Sequence, residues 1–256
     1  MVGGIEKFRE AFAQFSDNFV IIGGAACDEI LDGSIMQPRA TLDIDIIVIV
    51  ENMTAEFAKA FWQFIAEGKY RPGIRKNADK SPKYVLYSFD GGKPGYPVKI
   101  ELLSHHNEIF TSTRHIEPVP IDGEVSSLSA IILDEPYYQM TIANSYISKG
   151  LRYASLAALI ALKARAHLNL LAERESGHHV NTKDIIKHRN DVLKLVVIAD
   201  DEPTIVDNPI IETIQAFHDL IVSTLPSQSL QDVMRMDDDA IKAILERLVN
   251  LFVAKQ

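Results

Sequence analysis

Apolar residues at Ile5, Phe8, Phe12 and Phe15 recur every three or four positions, the period of a helix with one buried face. Asn18 ends that pattern. Phe19-Val-Ile-Ile22 is then a short β-branched and aromatic run that predicts a buried strand. Gly23-Gly24-Ala25-Ala26 carries almost no side-chain bulk, so the order predicted is strand, tight turn and a short helix reaching about Leu31. After a polar loop with Gly33 and Pro38, residues 42–50 (Leu-Asp-Ile-Asp-Ile-Ile-Val-Ile-Val) have the β-branched density of a central strand. Thr54 is placed to cap a helix over residues 55–67, and strands are expected over 83–89 and 97–103, joined by Asp90-Gly-Gly-Lys-Pro-Gly.

Residues 110–150 predict only short strands around 128–133 and a helix around 135–144. From Ser155 onward the helical period takes over, with helices expected over 156–173, 183–198, 210–223 and 239–253 and with Ser155, Thr182 and Asp237 or Asp238 as caps. That change places a domain boundary near residue 150. The fold class expected is α+β: a mixed sheet with flanking helices in residues 1–150, then a helical C-terminal domain in 151–256.

At 256 residues and 47% hydrophobic content the chain has ample material for a core, and its apolar runs fall far short of the roughly 20 residues that cross a bilayer. The N-terminus lacks the basic start and apolar stretch of a secretory signal, and Cys27 is the single cysteine, so no internal disulfide can form and a cytoplasmic location is expected. A net charge of −9 argues against a broad basic surface that coats nucleic acid. One basic stretch remains, in which Lys69, Arg71, Arg75, Lys76, Lys80 and Lys83 face only Asp79. It reads either as a solvated loop near a helix end or as a phosphate contact.

The candidate chemistry centres on Asp43 and Asp45. Two apart on a strand, their carboxylates emerge on one face roughly 6 to 7 Å apart while Ile44 and Ile46 point the other way. Such a pair repels and resists desolvation unless a cation neutralises it, and an oxygen-seeking ion such as Mg²⁺ or Mn²⁺ is the natural one. Asp-x-Asp alone is a weak signal, but three neighbours strengthen it. The Gly23-Gly24 turn between a strand and a helix offers open backbone N–H groups and positive potential to a triphosphate. Arg39 and Thr41 lie just upstream, within reach of phosphate or carboxylate. Glu101 is the one acidic residue in the otherwise apolar centre of the strand Val98-Lys-Ile-Glu-Leu-Leu103, and is expected to be the third metal ligand.

Phe19-Val-Ile-Ile-Gly-Gly-Ala-Ala, Arg39-Ala-Thr-Leu-Asp-Ile-Asp-Ile and Val98-Lys-Ile-Glu-Leu-Leu together resemble the signature of the nucleotidyltransferase superfamily related to DNA polymerase β. Within it the chain is most similar to the AbiEii- and MenT-like group, many of whose members are toxins of toxin–antitoxin pairs. That group usually carries a Lys-rich helix and a Lys-Asp helix in its C-terminal half. This chain has Leu159-Ile-Ala-Leu-Lys163-Ala-Arg165-Ala and Thr182-Lys183-Asp184-Ile-Ile-Lys187-His188-Arg189-Asn190-Asp191. The resemblance runs from about residue 19 to 197. It implies transfer of a nucleoside monophosphate from a nucleoside triphosphate to a hydroxyl on RNA, protein or a small molecule, with Asp43, Asp45 and Glu101 holding the metal, Lys163 catalytic, and Gly23, Gly24, Arg39, Thr41, Lys183 and Asp184 binding nucleotide. An antitoxin protein is the implied partner. Two departures stand out: Gly24 replaces a serine found in many relatives, and the third acid is Glu rather than Asp.

Lys163 also shares the apolar stripe of its helix with Leu156, Leu159, Ile160, His167 and Leu170. An ammonium there requires an anion, either a carboxylate or a bound phosphate, unless it snorkels to the helix edge. Asp184, Lys187, His188 and Asp191 form one polar face on the next helix, read equally as a salt-bridged seam or as part of the site. The pairs His105-His106 and His178-His179 lack companions at zinc spacing, and Cys27 reads as a small packed residue. Neither Gly-x-Ser-x-Gly nor Gly-x-Gly-x-x-Gly occurs. Two other functions fit the same residues: a noncatalytic homologue that binds nucleotide or a partner, and a sugar transferase using Asp-x-Asp to hold its metal.

Overall fold

The structure is a computed structural model that describes residues 3–36, 41–76, 82–105, 116–119 and 128–255. The chain divides into two compact units, one made of Met1–Asp32 with Pro38–Ala154 and the other of Gly33–Gln37 with Ser155–Gln256.

The first unit opens with α1 (Ile5–Phe12), whose buried Ile5, Phe8 and Phe12 are three of the four positions the spacing singled out; Phe15 lies in a 3-10 turn beyond the helix and is half-buried. It continues through β1 (Phe19–Ile22), α2 (Gly23–Leu31), β2 (Asp43–Val48), α3 (Ala55–Glu67), β3 (Arg71–Lys76), β4 (Pro82–Asp90), β5 (Lys99–His105), β6 (Ile116–Val119), β7 (Leu128–Leu133), α4 (Glu135–Ala143), β8 (Ser145–Ser148) and β9 (Leu151–Ala154). The predicted Gly-Gly turn is absent as a separate element. Gly23 itself begins α2, at φ 65, a left-handed conformation that costs glycine nothing and lets the chain pass from strand to helix within one residue. Thr54 caps α3 as expected, accepting from the N–H of Phe57 at 3.2 Å.

Among the described residues nine strands form one mixed sheet in the order β3-β4-β5-β2-β1-β9-β8, with β7 pairing β5 and β6. β2 runs antiparallel to β1 and parallel to β5. Alternation along these strands sorts the residues onto two faces. Phe19 pairs with Val48 and Phe89 with Ile100, and their face is covered by aromatic rings: Phe19 stacks on Phe57 of α3 at 6.1 Å and Phe89 meets Phe61 edge-on at 5.4 Å. Burying each phenyl ring stabilises by about 1.5 to 3 kcal/mol, so this layer is the main anchor of the unit. The opposite face carries the charged residues of β2 and β5. β3 corrects the reading of residues 69–83 as a loop: Arg71–Lys76 is a strand antiparallel to β4, with an irregularity between Pro72 and Gly73.

The second unit comprises α5 (Leu156–Glu175), α6 (Thr182–Ile198), β10 (Thr204–Val206), α7 (Asn208–Ser223), α8 (Gln228–Met234), α9 (Asp238–Asn250) and β11 (Phe252–Ala254), with β10 and β11 paired in parallel. Ser155 and Asp237 cap α5 and α9, accepting from Ala158 and Ala240. The cap of α6 is Asn181 rather than Thr182: its side-chain oxygen accepts from the N–H of Lys183 at 3.0 Å, leaving Thr182 as the first helical residue. The last helix stops at Asn250 instead of continuing to Val253, because Phe252–Ala254 pairs with β10. Arg247 closes the C-terminal end of α6, donating to the carbonyls of Val196 and Val197 at 3.2 and 3.3 Å and bonding Asp201 at 2.9 Å. Among the described residues no helix is long and apolar enough to cross a membrane.

Candidate functional site

The register of three strands assembles a charged patch on the face opposite the phenylalanine layer. In one row Asp43 of β2, Lys99 of β5 and Asp90 of β4 are Cα partners. In the next row Ile22, Asp45, Glu101 and Ser88 are partners across β1, β2, β5 and β4. Asp43 and Asp45 share this face because they are two apart on β2, while Ile44 and Ile46 are fully buried on the other. Asp43 is exposed and Asp45 and Glu101 are half-buried, so the acids stand at an open surface of the sheet.

Gly23 brings α2 against this patch. A Cβ added to it would collide with Oδ2 of Asp45, so the Asp45 carboxylate lies directly against the first residue of α2. The N-terminus of α2 therefore carries its positive potential to one of the three acids, and Gly24, buried beside it, leaves no side chain in the way. Thr41 is half-buried just before β2. Arg39 lies outside the described residues, as do Lys80 of the basic stretch and His106.

Lys99 is the residue that sequence reasoning passed over. Its Nζ lies 2.6 Å from Oε1 of Glu101, with the two side chains 31% and 28% exposed. Burial alone would lower the pKa of this ammonium. The hydrogen bond and charge of Glu101, reinforced by Asp90 and Asp43, outweigh burial and raise it above the ordinary lysine value. The signal was present in the sequence: Lys99 and Glu101, two apart on a strand, must share a face. Among the described residues no three His, Cys, Asp or Glu side chains are grouped so that they could hold a metal ion. The donor chemistry of Asp43, Asp45 and Glu101, all oxygen, suits a hard divalent cation. Their placement does not gather all three around one point, and Glu101 is directed at Lys99.

The candidates of the second unit lie on α5 and α6. Lys163 is 3% exposed, and its Nζ donates to Oδ2 of Asp191 at 2.6 Å, so α6 supplies the anion that a lysine on the apolar stripe requires. Lys183 is exposed, and Asp184 reaches Lys187 only at 3.9 Å. His167 on the same stripe is buried, its Nδ1 2.9 Å from the carbonyl of Ile185.

A separate polar cluster sits at the far end of β5. His105 places Nδ1 2.7 Å from Glu135 and Nε2 3.1 Å from Glu51, and its ring stacks on Tyr138 with centroids 4.0 Å apart. Burial would raise the Glu51 carboxyl, but the hydrogen bond from the Tyr138 hydroxyl and the His105 ring bring its pKa below the ordinary value. Cys27 is 5% exposed and packed within α2, as the sequence implied.

No family model matches the chain, and no curated protein matches its sequence. Two solved structures resemble its fold: a candidate nucleotidyltransferase from H. pylori, at 15% identity and a TM-score of 0.41 over 97% of this chain and 91% of the other, and JHP933 from Helicobacter pylori, at 16% identity and a TM-score of 0.40 over 97% and 88%. Both likenesses extend over nearly the whole chain at a low superposition score, and neither bears on what the acidic face does.

Proposed function

We propose that the first unit is a metal-dependent nucleotidyltransferase domain, which moves a nucleoside monophosphate from a nucleoside triphosphate to a hydroxyl. The supporting observation is the in-register placement of Asp45 and Glu101 on adjacent strands, with Asp43 on the same face and the first residue of α2 against the Asp45 carboxylate. Asp43 and Asp45 are the residues that would hold Mg²⁺ or Mn²⁺. The bound ion would neutralise phosphate charge and make the attacking hydroxyl more acidic. The backbone N–H groups of Gly23 and Gly24 favour the phosphates, with Arg39 and Thr41 following on the chain. The acceptor oxygen bonds to the α-phosphorus, the bond from that phosphorus to the β-phosphate oxygen breaks, pyrophosphate leaves, and the hydroxyl proton passes to Glu101. Acceptors of the right chemistry are hydroxyls of RNA, of protein or of a small molecule. The AbiEii- and MenT-like sequence features extend the proposal to the toxin of a toxin–antitoxin pair, acting in the cytoplasm with an antitoxin protein as partner.

The test is incubation of the purified chain with α-labelled nucleoside triphosphates, Mg²⁺ and total cell RNA or protein. Label is expected in one acceptor class, and Asp45→Ala is expected to lower transfer by about a hundred- to thousandfold. Triphosphate binding with no transfer to any acceptor would identify a noncatalytic homologue instead. Equal triphosphate affinity with and without divalent metal, measured by calorimetry, would remove the metal site.

A further inference from the structure

Lys99 has an acid beside it on each neighbouring strand and another two residues on along its own. Asp43 is its register partner on β2, Asp90 its partner on β4, and Glu101, two residues on along the same strand, is in contact with its Nζ at 2.6 Å. Asp45 stands in the next row, beside Glu101. Four carboxylates thus share one face with Lys99 and with Arg71, the register partner of Asp90 on β3, a local balance of −2. Such a patch attracts cations, yet it already holds two cationic residues, and Lys99 is the one in contact with Glu101.

Resting on the nucleotidyltransferase reading, we propose that Lys99 is a resident cation, neutralising Glu101 where a second divalent ion would otherwise sit. The patch then takes one divalent ion, on Asp43 and Asp45, and not two. The geometry gives the reason. An ammonium at hydrogen-bond distance from Glu101 occupies the coordination direction that the carboxylate would offer to a metal, and its charge repels a second ion from the same few ångströms. Lys99 is therefore a positioning residue. It sets which carboxylates are open to metal and fixes the orientation of Glu101 beside Asp45.

Mn²⁺ alone, titrated into the full chain and followed by calorimetry and by the loss of its free electron-spin signal, tests the proposal without reference to turnover. Wild type is expected to bind one ion per chain. Lys99→Met, which keeps the bulk of the stem, is expected to bind the first ion about tenfold more tightly and to admit a second. Lys99→Arg keeps the charge and is expected to bind one ion as wild type does, a rescue that a role in packing alone would not produce. Circular dichroism confirms that each variant is folded, and Lys99→Gln is the substitute if Lys99→Met is not. Two ions bound by wild type, or unchanged count and affinity in the charge-removing variant, would overturn the proposal and leave the transferase reading standing. No Mn²⁺ bound by any variant would overturn both.

Discussion

The molecule contains two lysine–carboxylate pairs of equal length and opposite character. Lys99–Glu101 in the first unit and Lys163–Asp191 in the second are each 2.6 Å, but the first pair is 31% and 28% exposed and the second 4% and 9%. Distance alone does not separate them; solvent does. At an open sheet surface water competes for both partners, so the pair contributes little to folding and its charges act on whatever approaches the face. Between two packed helices neither charge can return to water without unfolding, so each exists only because the other is there. The same chemistry therefore sets the charge of an open face in one unit and serves as a structural fixture in the other.

The sharpest way to break this contrast is to remove one partner of the buried pair. Lys163→Met leaves the Asp191 carboxylate buried without its ammonium, and about 3 to 5 kcal/mol of stability is expected to be lost, read as a fall in denaturant midpoint at unchanged slope. The double variant Lys163→Met with Asp191→Leu is expected to recover most of that loss, since an apolar pair of similar volume avoids the desolvation cost. A single variant as stable as wild type would show that Lys163 reaches water, and the distinction drawn between the two pairs would fail.

Gly23 offers the next largest effect, where the charged face meets backbone geometry. Its φ of 65 and the Asp45 oxygen in its Cβ position oppose any side chain. Gly23→Ala is expected to cost about 1 to 2 kcal/mol from the left-handed backbone. If the Asp45 carboxylate moves by about 1 Å, transfer falls by about a hundredfold as well. Destabilisation with full transfer activity would separate the glycine's conformational role from any part in positioning Asp45.

Much of this contrast was legible in the sequence, and the exceptions have local causes. The strands carrying Asp43, Asp45 and Glu101 and the stripe carrying Lys163 follow from periodicity, because a period of two or of 3.6 is written in neighbouring residues. Register is not: that Asp45 lies opposite Glu101, and Asp90 opposite Lys99, depends on strand order fixed by distant contacts. β3 was hidden because Arg71-Pro72-Gly73 reads as a breaker, and the chain absorbs it with an irregular register against β4. The hairpin of β8 and β9 turns at Lys149-Gly150, both at positive φ, and lysine gives none of the usual asparagine or aspartate signal for that turn. β10 and β11, three residues each from distant parts of the chain, carry no periodic signal at all. The sequence allows Lys163 either a carboxylate or a phosphate as partner, and only the packing of α5 on α6 identifies Asp191.

The second unit also buries a titratable group without a charged partner, which extends the comparison to pH. Burial lowers the pKa of the His167 imidazole below its ordinary 6.5; the hydrogen bond with Ile185 pulls the other way, and the charges of Arg189 and Arg174 add to the lowering. The unfolded chain therefore takes up this proton at higher pH than the folded one. The stabilising contribution is complete above about pH 6.5 and is lost as pH falls from there toward the folded value, at no more than about 1.4 kcal/mol per pH unit. Denaturant midpoints at pH 7.5 and 5.5 measure it. His167→Gln, which can still donate to the Ile185 carbonyl, is expected to flatten the dependence, and an equal slope in both proteins would place the proton elsewhere.

The smallest effect on stability is expected where the effect on ion binding is largest. Lys99 and Glu101 are each about a third exposed, so their Coulomb attraction is screened by water and offset by the entropy of holding two long side chains in one geometry. Removing the lysine also leaves Asp43, Asp90 and Glu101 close together, a repulsion relieved by solvent and by counter-ions on an open face. Lys99→Met is therefore expected to change the unfolding free energy by only about 0.2 to 1 kcal/mol at 0.15 M salt, with the deficit growing as salt is lowered and repulsion among the acids is less screened. Denaturant melts at two ionic strengths, set beside the same melts of Lys163→Met, make the comparison direct. The buried variant is expected to show a large loss that salt hardly alters, because bulk ions do not reach a site 4% exposed. A Lys99 variant as destabilised as the Lys163 variant, and as insensitive to salt, would mean that both pairs are structural fixtures and that the acidic face holds its lysine for folding instead of for a ligand.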